Sequence, residues 1–182
     1  MIAIEESIVI DLPRRRVFAL AARPENMPLW NSAVLKSEFH GALREGARVV
    51  QCIHLLGHRF ETAFRVTCYE PPRRVTYTST HGPMDIRGTM EFLPLQGRTL
   101  VRWTVAGSGR AFFRVGEGVL VRVGRHEMHS CLENLKRFVE QTKAGRGKTK
   151  APAGVPHRLR RRPPATPPAG RPGRGRSLAA SR

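Results

Sequence analysis

The sequence predicts an α+β domain: a curved antiparallel β-sheet of about seven strands wrapped around one long C-terminal helix, with two short helices after the first strand. Three observations predict it. Seven strand-like segments separated by turn residues lie between residues 2 and 105, and five of them alternate apolar and polar residues with period two, the mark of half-buried strands. After Gly107-Ser108-Gly109 the period changes to 3.6 and holds to about residue 142. The strands follow one another across short turns, so neighbours pair antiparallel, and a helix with a wide apolar face must lie on the sheet they form.

Each element has its own signal. Ile2, Ile4, Ile8 and Ile10 alternate with Ala3, Glu5, Ser7 and Asp11, with Glu6 breaking the pattern. Asp11-Leu12-Pro13 ends this strand, and Asp11 is expected to cap a short helix that buries Val17, Phe18, Leu20 and Ala21. A second short helix starts near Pro24 and stops near Pro28-Leu29-Trp30. Strands are then expected over residues 34–39, 48–55 and 59–69, the last with Phe60, Thr62, Phe64, Val66 and Cys68 on one face. Pro71-Pro72 ends it. Val75, Tyr77 and Ser79 mark the next inner face, then Ile86, Gly88, Met90 and Phe92, then Val101, Trp103 and Val105. The long helix runs from about residue 112 to 142. Leu120, Gly124, Met128, Cys131, Leu135 and Phe138 form its apolar stripe, flanked by Val123, Leu132 and Val139.

Charge is divided unevenly. The 182 residues carry a net +18. Residues 143–182 hold 12 Lys or Arg and no Asp or Glu, so +12 sits there and +6 in the rest. The domain boundary is therefore expected at 142. The tail that follows is rich in Arg, Pro, Gly and Ala, cannot bury enough surface to offset chain entropy, and is expected to be disordered. Its run Arg158-Leu159-Arg160-Arg161-Arg162 has no interleaved aromatics for base stacking, so weak contact with anionic surfaces is expected and specific nucleic-acid binding is not. Cys52, Cys68 and Cys131 are odd in number, far apart and set in apolar segments, which fits reduced thiols and a cytoplasmic setting. The first residues lack the basic and apolar regions of a secretory leader, and no apolar run reaches the roughly 18 residues of a membrane span.

An ordered set of pieces carries a family resemblance. Ile8-Val9-Ile10-Asp11-Leu12-Pro13 precedes Val17-Phe18-Ala19-Leu20, then Pro24 and Pro28-Leu29-Trp30, then Gly46 before a strand. Pro71-Pro72-Arg73, Phe92-Leu93-Pro94, Gly97-Arg98-Thr99-Leu100-Val101 and Leu132-Glu133-Asn134-Leu135-Lys136 follow in order. Residues 1–142 thus resemble the SRPBCC superfamily of helix-grip, START-like proteins, and within it most the bacterial polyketide cyclase/dehydrase-like group. The resemblance implies the helix-grip fold and a cavity between sheet and C-terminal helix. It implies no particular reaction, because function lives in the site and not in the fold.

The residues expected to line that cavity and bind a ligand are Trp30, Phe64, Tyr77, Ser79, Ile86, Met90, Trp103, Leu120 and Met128. For most of them plain core packing is the ordinary reading. The two indoles stand out, since a buried indole N–H needs a partner and often sits at a pocket wall. Candidates for acid–base chemistry are Tyr77, His81, which extends the register of Ser79, and His54. His54 or Gln51 faces inward according to the phase of the 48–55 strand, which the sequence leaves open. Relatives that act as aromatases or cyclases use such pocket groups to move protons, as the resemblance implies. His126-Glu127-Met128-His129 spaces its histidines by three, where the helical zinc motif needs four, so no metal is expected, and no other cofactor. Gly107-Ser108-Gly109 would need glycine at 112 for a dinucleotide fingerprint, and Phe112 stands there.

Three functions follow. The first is binding of a small hydrophobic molecule, a lipid, isoprenoid or aromatic polyketide-like compound. The second is a cyclase, aromatase or dehydratase working in the same cavity through Tyr or His. The third is an interaction module whose basic tail meets anionic partners.

Overall fold

The computed structural model describes residues 2–55, 57–108 and 117–144. They belong to the first of two compact units, residues 1–149. The tail from 145 onward, expected to be disordered, and the residues 109–116, in which the sequence starts the long helix, lie outside the described residues.

Strand β1 (Ile2–Ile10) leads into helix α1 (Arg14–Ala21), a 3-10 turn (Pro24–Asn26) and helix α2 (Met27–Trp30). Six strands follow: β2 (Val34–Phe39), β3 (Arg48–Leu55), β4 (His58–Glu70), β5 (Arg74–His81), β6 (Asp85–Leu95) and β7 (Arg98–Ser108). Helix α3 spans Glu117–Ala144. The seven strands form one curled sheet in the order β1-β7-β6-β5-β4-β3-β2, antiparallel at every step. Consecutive strands are neighbours because their turns are short, and β1 closes the far edge by pairing with β7. The helix-grip expectation holds.

Local details depart from the sequence reading. Asp11 does not cap α1. Pro13 occupies the cap position with no side-chain cap bond, and Asp11 lies two residues too early to reach the first free N–H groups. Its own backbone N–H instead donates to Glu140 Oε1 at 3.1 Å. Arg16 Nη2 donates to the Thr142 carbonyl at 3.3 Å, so the start of α1 and the residues before it are tied to the end of α3. Glu6, which interrupts the apolar alternation, keeps its place in β1. The pairing with β7 runs unbroken, and Glu6 takes an inner-face position opposite Trp103, half-buried.

The interior has two unlike ends. At the α1 end it is solid. Ile10, Val101, Phe92, Val75, Leu135 and Val139 are fully buried there, with Phe18 edge-on to Phe92 at 5.1 Å between ring centroids. The Thr99 hydroxyl, also fully buried, donates to the Leu12 carbonyl at 2.6 Å and locks the chain over this end. At the other end the same sheet and the same helix each carry a glycine on the inner side. Where β6 has Phe92 at the solid end, it has Gly88 two ladder steps on. Where α3 has Leu135, it has Gly124 three turns earlier. Bare backbone at Gly88 leaves a space there, while at Gly124 the helix sits directly on Ile4 of β1.

Candidate functional site

The space is a cavity of about 260 Å³ between the inner face of the sheet and α3. β6 supplies Ile86, Gly88 and Met90 to its wall, and β7 supplies Trp103, Val105 and Gly107. β1 contributes Ile2 and Ile4, β3 Gln51, Ile53 and Leu55, and α3 Val123, Gly124 and Met128. Two glycines shape the cavity, one by leaving space and one by letting the helix close on the sheet. A Cβ on Gly88 would meet nothing nearer than Trp103 Nε1 at 3.8 Å, so every atom beyond it would enter the cavity. A Cβ on Gly124 would collide with Ile4 Cδ1, so glycine lets the helix come down on β1 at that point. A second, wider hollow of about 560 Å³ lies outside the core, lined by Arg15, Arg23, Leu43, Tyr69, Pro71 and others. It holds none of the ligand-binding or acid–base candidates named from the sequence.

Seven of the nine expected ligand-binding residues line the cavity: Trp30, Phe64, Tyr77, Ile86, Met90, Trp103 and Met128. Ser79 does not. Its Oγ accepts the Ile86 N–H at 2.8 Å, a bond that closes the start of the β5–β6 ladder. The side chain of Leu120 lies outside the described residues. Trp30 and Trp103 meet edge to face, 5.6 Å apart at 76°. Trp30 Nε1 is buried with no partner among the described residues, against the expectation that such a group finds one.

The candidate acid–base groups do not gather in the cavity. The phase of β3, open in the sequence, is set by its unbroken ladder with β4 from Arg48↔Arg65 to Leu55↔His58. Val49, Gln51 and Ile53 turn inward, and His54 points out with Arg59. His81 also points out. The β4–β5 ladder slips one residue, pairing Phe64 with Ser79 but Ala63 with His81, and a one-residue slip reverses the facing of everything beyond it. Tyr77 stays inside, yet its hydroxyl donates to the Ala22 carbonyl at 2.7 Å. Burial pushes its phenol well above the ordinary tyrosine value, with the charges of Tyr69 and Glu25 adding to the shift. Its proton is held for structure: it ties β5 to the end of α1.

Sequence reasoning missed the polar cluster at one side of the cavity. Asn31, Glu127 and Cys131 all line the wall. Ser32 Oγ donates to Glu127 Oε2 at 3.2 Å and lies 3.4 Å from Cys131 Sγ. Cys131 Sγ in turn donates to Asn31 Oδ1 at 3.5 Å, and Asn31 Oδ1 accepts the Ala33 N–H at 3.1 Å. Burial raises the Cys131 thiol above its usual value, the Ser32 hydrogen bonds oppose this, and the nearby Glu127 charge adds to the rise. A signal existed. Glu127 and Cys131 stand four apart, so a helix puts them on one face, and Glu127 adjoins Met128 on the apolar stripe. The His126-Glu127-Met128-His129 run drew attention to its histidines instead, and both are exposed.

Comparison with known proteins places this geometry. The fold resembles that of a START superfamily protein from Mycobacterium smegmatis, with a TM-score of 0.67 at 12% identity, over 77% of this chain and 98% of that one. A protein from Thermus thermophilus gives 0.66 at 19%, over 78% and 99%. The Streptomyces aromatase/cyclase Zhui gives 0.63 at 16%, over 80% and 98%. Identities this low speak for a shared fold alone. A search of curated protein sequences gave no match. The family model described as "Polyketide cyclase / dehydrase and lipid transport" matches residues 1–140, the whole of the sheet and nearly all of α3, and on that match the chain belongs to this family.

Proposed function

We propose that the chain binds a small hydrophobic molecule, of lipid, isoprenoid or aromatic polyketide-like type, in the cavity between the sheet and α3. One observation carries the reading: one end of the interior is packed solid while the other holds a cavity, kept free at Gly88 by the missing side chain, between walls of aromatic and aliphatic side chains. Interiors are packed to crystal-like density, and an apolar void forfeits contacts on every face, so a ligand is what completes it. Turnover has less support. Both acid–base candidate histidines, His54 and His81, lie outside the cavity, and the Tyr77 hydroxyl is already bonded. We further place the protein in a reducing, cytoplasmic setting, which its three free cysteines support. Among the described residues no helix is long and apolar enough to cross a membrane.

Native mass spectrometry of the protein as purified, followed by denaturing extraction, tests the reading. The expected result is one apolar molecule released per chain. Protein that is empty and also fails to bind a hydrophobic fluorescent probe would overturn it.

A further inference from the structure

The sign of the charges around the cavity narrows the ligand class, on the reading that the cavity is a binding site. Among the described residues, Glu127, Cys131 and Tyr77 are the ionisable groups of its wall. Each is either neutral or negative. No lysine, arginine or histidine is among them. The nearest inner-face charge on the sheet, Glu6 opposite Trp103, has the same sign and forms no ion pair among the described residues. This happens in a chain with a net charge of +18, whose strands present arginines freely on the outer face at Arg48, Arg65 and Arg87.

Glu127 is the polar anchor. It is half-buried, and Ser32 holds its Oε2. Its Oε1 has no partner among the described residues and is free to accept a hydrogen bond. Tyr77 and Cys131 on the same wall are buried, and the rest of the lining is almost wholly apolar. A carboxylate or phosphate entering such a space would lose its water, meet no cation among the described residues of the wall and face Glu127. A hydroxyl or ammonium would lose less and meet an open acceptor, and a charge-assisted hydrogen bond is the stronger kind.

We propose that the cavity takes an apolar molecule whose polar end is a hydrogen-bond donor, an amine or a hydroxyl, seated against Glu127, and that it rejects carboxylates and phosphates. Free fatty acids are thereby excluded as its cargo.

Three probes of one chain length test this: 1-octanol, octylamine and octanoate, titrated calorimetrically into the full chain near neutral pH, where the amine is charged and the acid ionised. Salt near 0.15 M screens the surface, whose excess positive charge would otherwise favour octanoate. Octanoate is expected to bind at least about fivefold more weakly than octanol, with octylamine the tightest of the three. In Glu127→Gln, octylamine is expected to lose its lead over octanol and octanoate to close part of its gap. A smaller wild-type gap than fivefold, or octanoate the tighter ligand, overturns this proposal and leaves the binding function standing. Failure of all three probes to bind overturns the binding function, and this proposal with it.

Discussion

Gly88→Leu is expected to abolish tight ligand binding and leave the protein folded. Gly88 sits on the inner face of β6, between Tyr77 of β5 and Val105 of β7. A Cβ there meets only Trp103 Nε1, at ordinary contact distance. The leucine side chain then has one place to go, the cavity. Glycine within a strand costs conformational entropy and adds no packing, so its replacement is expected to hold or raise stability by up to about 1 kcal/mol. Any ligand must give way to the added carbons. Accommodating extra methylenes in a filled site costs about 1–3 kcal/mol, a roughly ten- to hundredfold loss of affinity. Calorimetric titration with 1-octanol measures the loss, and a urea unfolding curve measures stability. Unchanged affinity in a folded variant would mean that the ligand sits elsewhere.

Phe92→Ala is expected to cost about 3–5 kcal/mol, a large part of the 5–15 kcal/mol typical of a whole domain. Phe92 is fully buried at the solid end, against the ring of Phe18. Its removal leaves a hole that the Thr99–Leu12 bond and the α1–α3 ties hold open. Ile86→Ala, three pairs along the same strand face, is expected to cost below about 2 kcal/mol, because half-buried Ile86 already borders empty space. Urea unfolding midpoints with constant slopes give both values. Equal losses would mean that the two ends of the interior are packed alike, and the account of a solid base and a hollow mouth would fail.

The elements of this fold were plain in the sequence because the physics that places them is local. Alternation in Val75-Thr76-Tyr77-Thr78-Ser79 needs no knowledge of neighbours, and neither does the stripe from Met128 to Val139. What was hidden depends on pairing. Whether His54 or Gln51 faces inward is a property of the β3–β4 ladder, and no residue within β3 decides it. His81 was misjudged because a one-residue slip in the β4–β5 ladder cannot be seen from β5 alone. Asp11 fits the composition of a cap but stands two residues too far from α1. The apolar wall was legible for the same reason the strands were: inward residues are apolar whether they pack or line a void. The void itself depends on where Gly88 falls in the sheet beside Trp103, and taken alone it reads as an ordinary glycine. The Ser32, Glu127 and Cys131 cluster likewise joins the end of α2 to α3 across almost 100 residues of chain.

The chain has two tryptophans, and both line the cavity. Their indole N–H signals in a heteronuclear NMR spectrum therefore report its contents directly. On titration with 1-octanol, the account predicts that both indole signals shift saturably, together with the amides of Gly88 and Gly124, while those of Phe92, Leu135 and Val139 stay in place. Indole signals that do not move, or shifts confined to the solid end or to the outer face of the sheet, would contradict it.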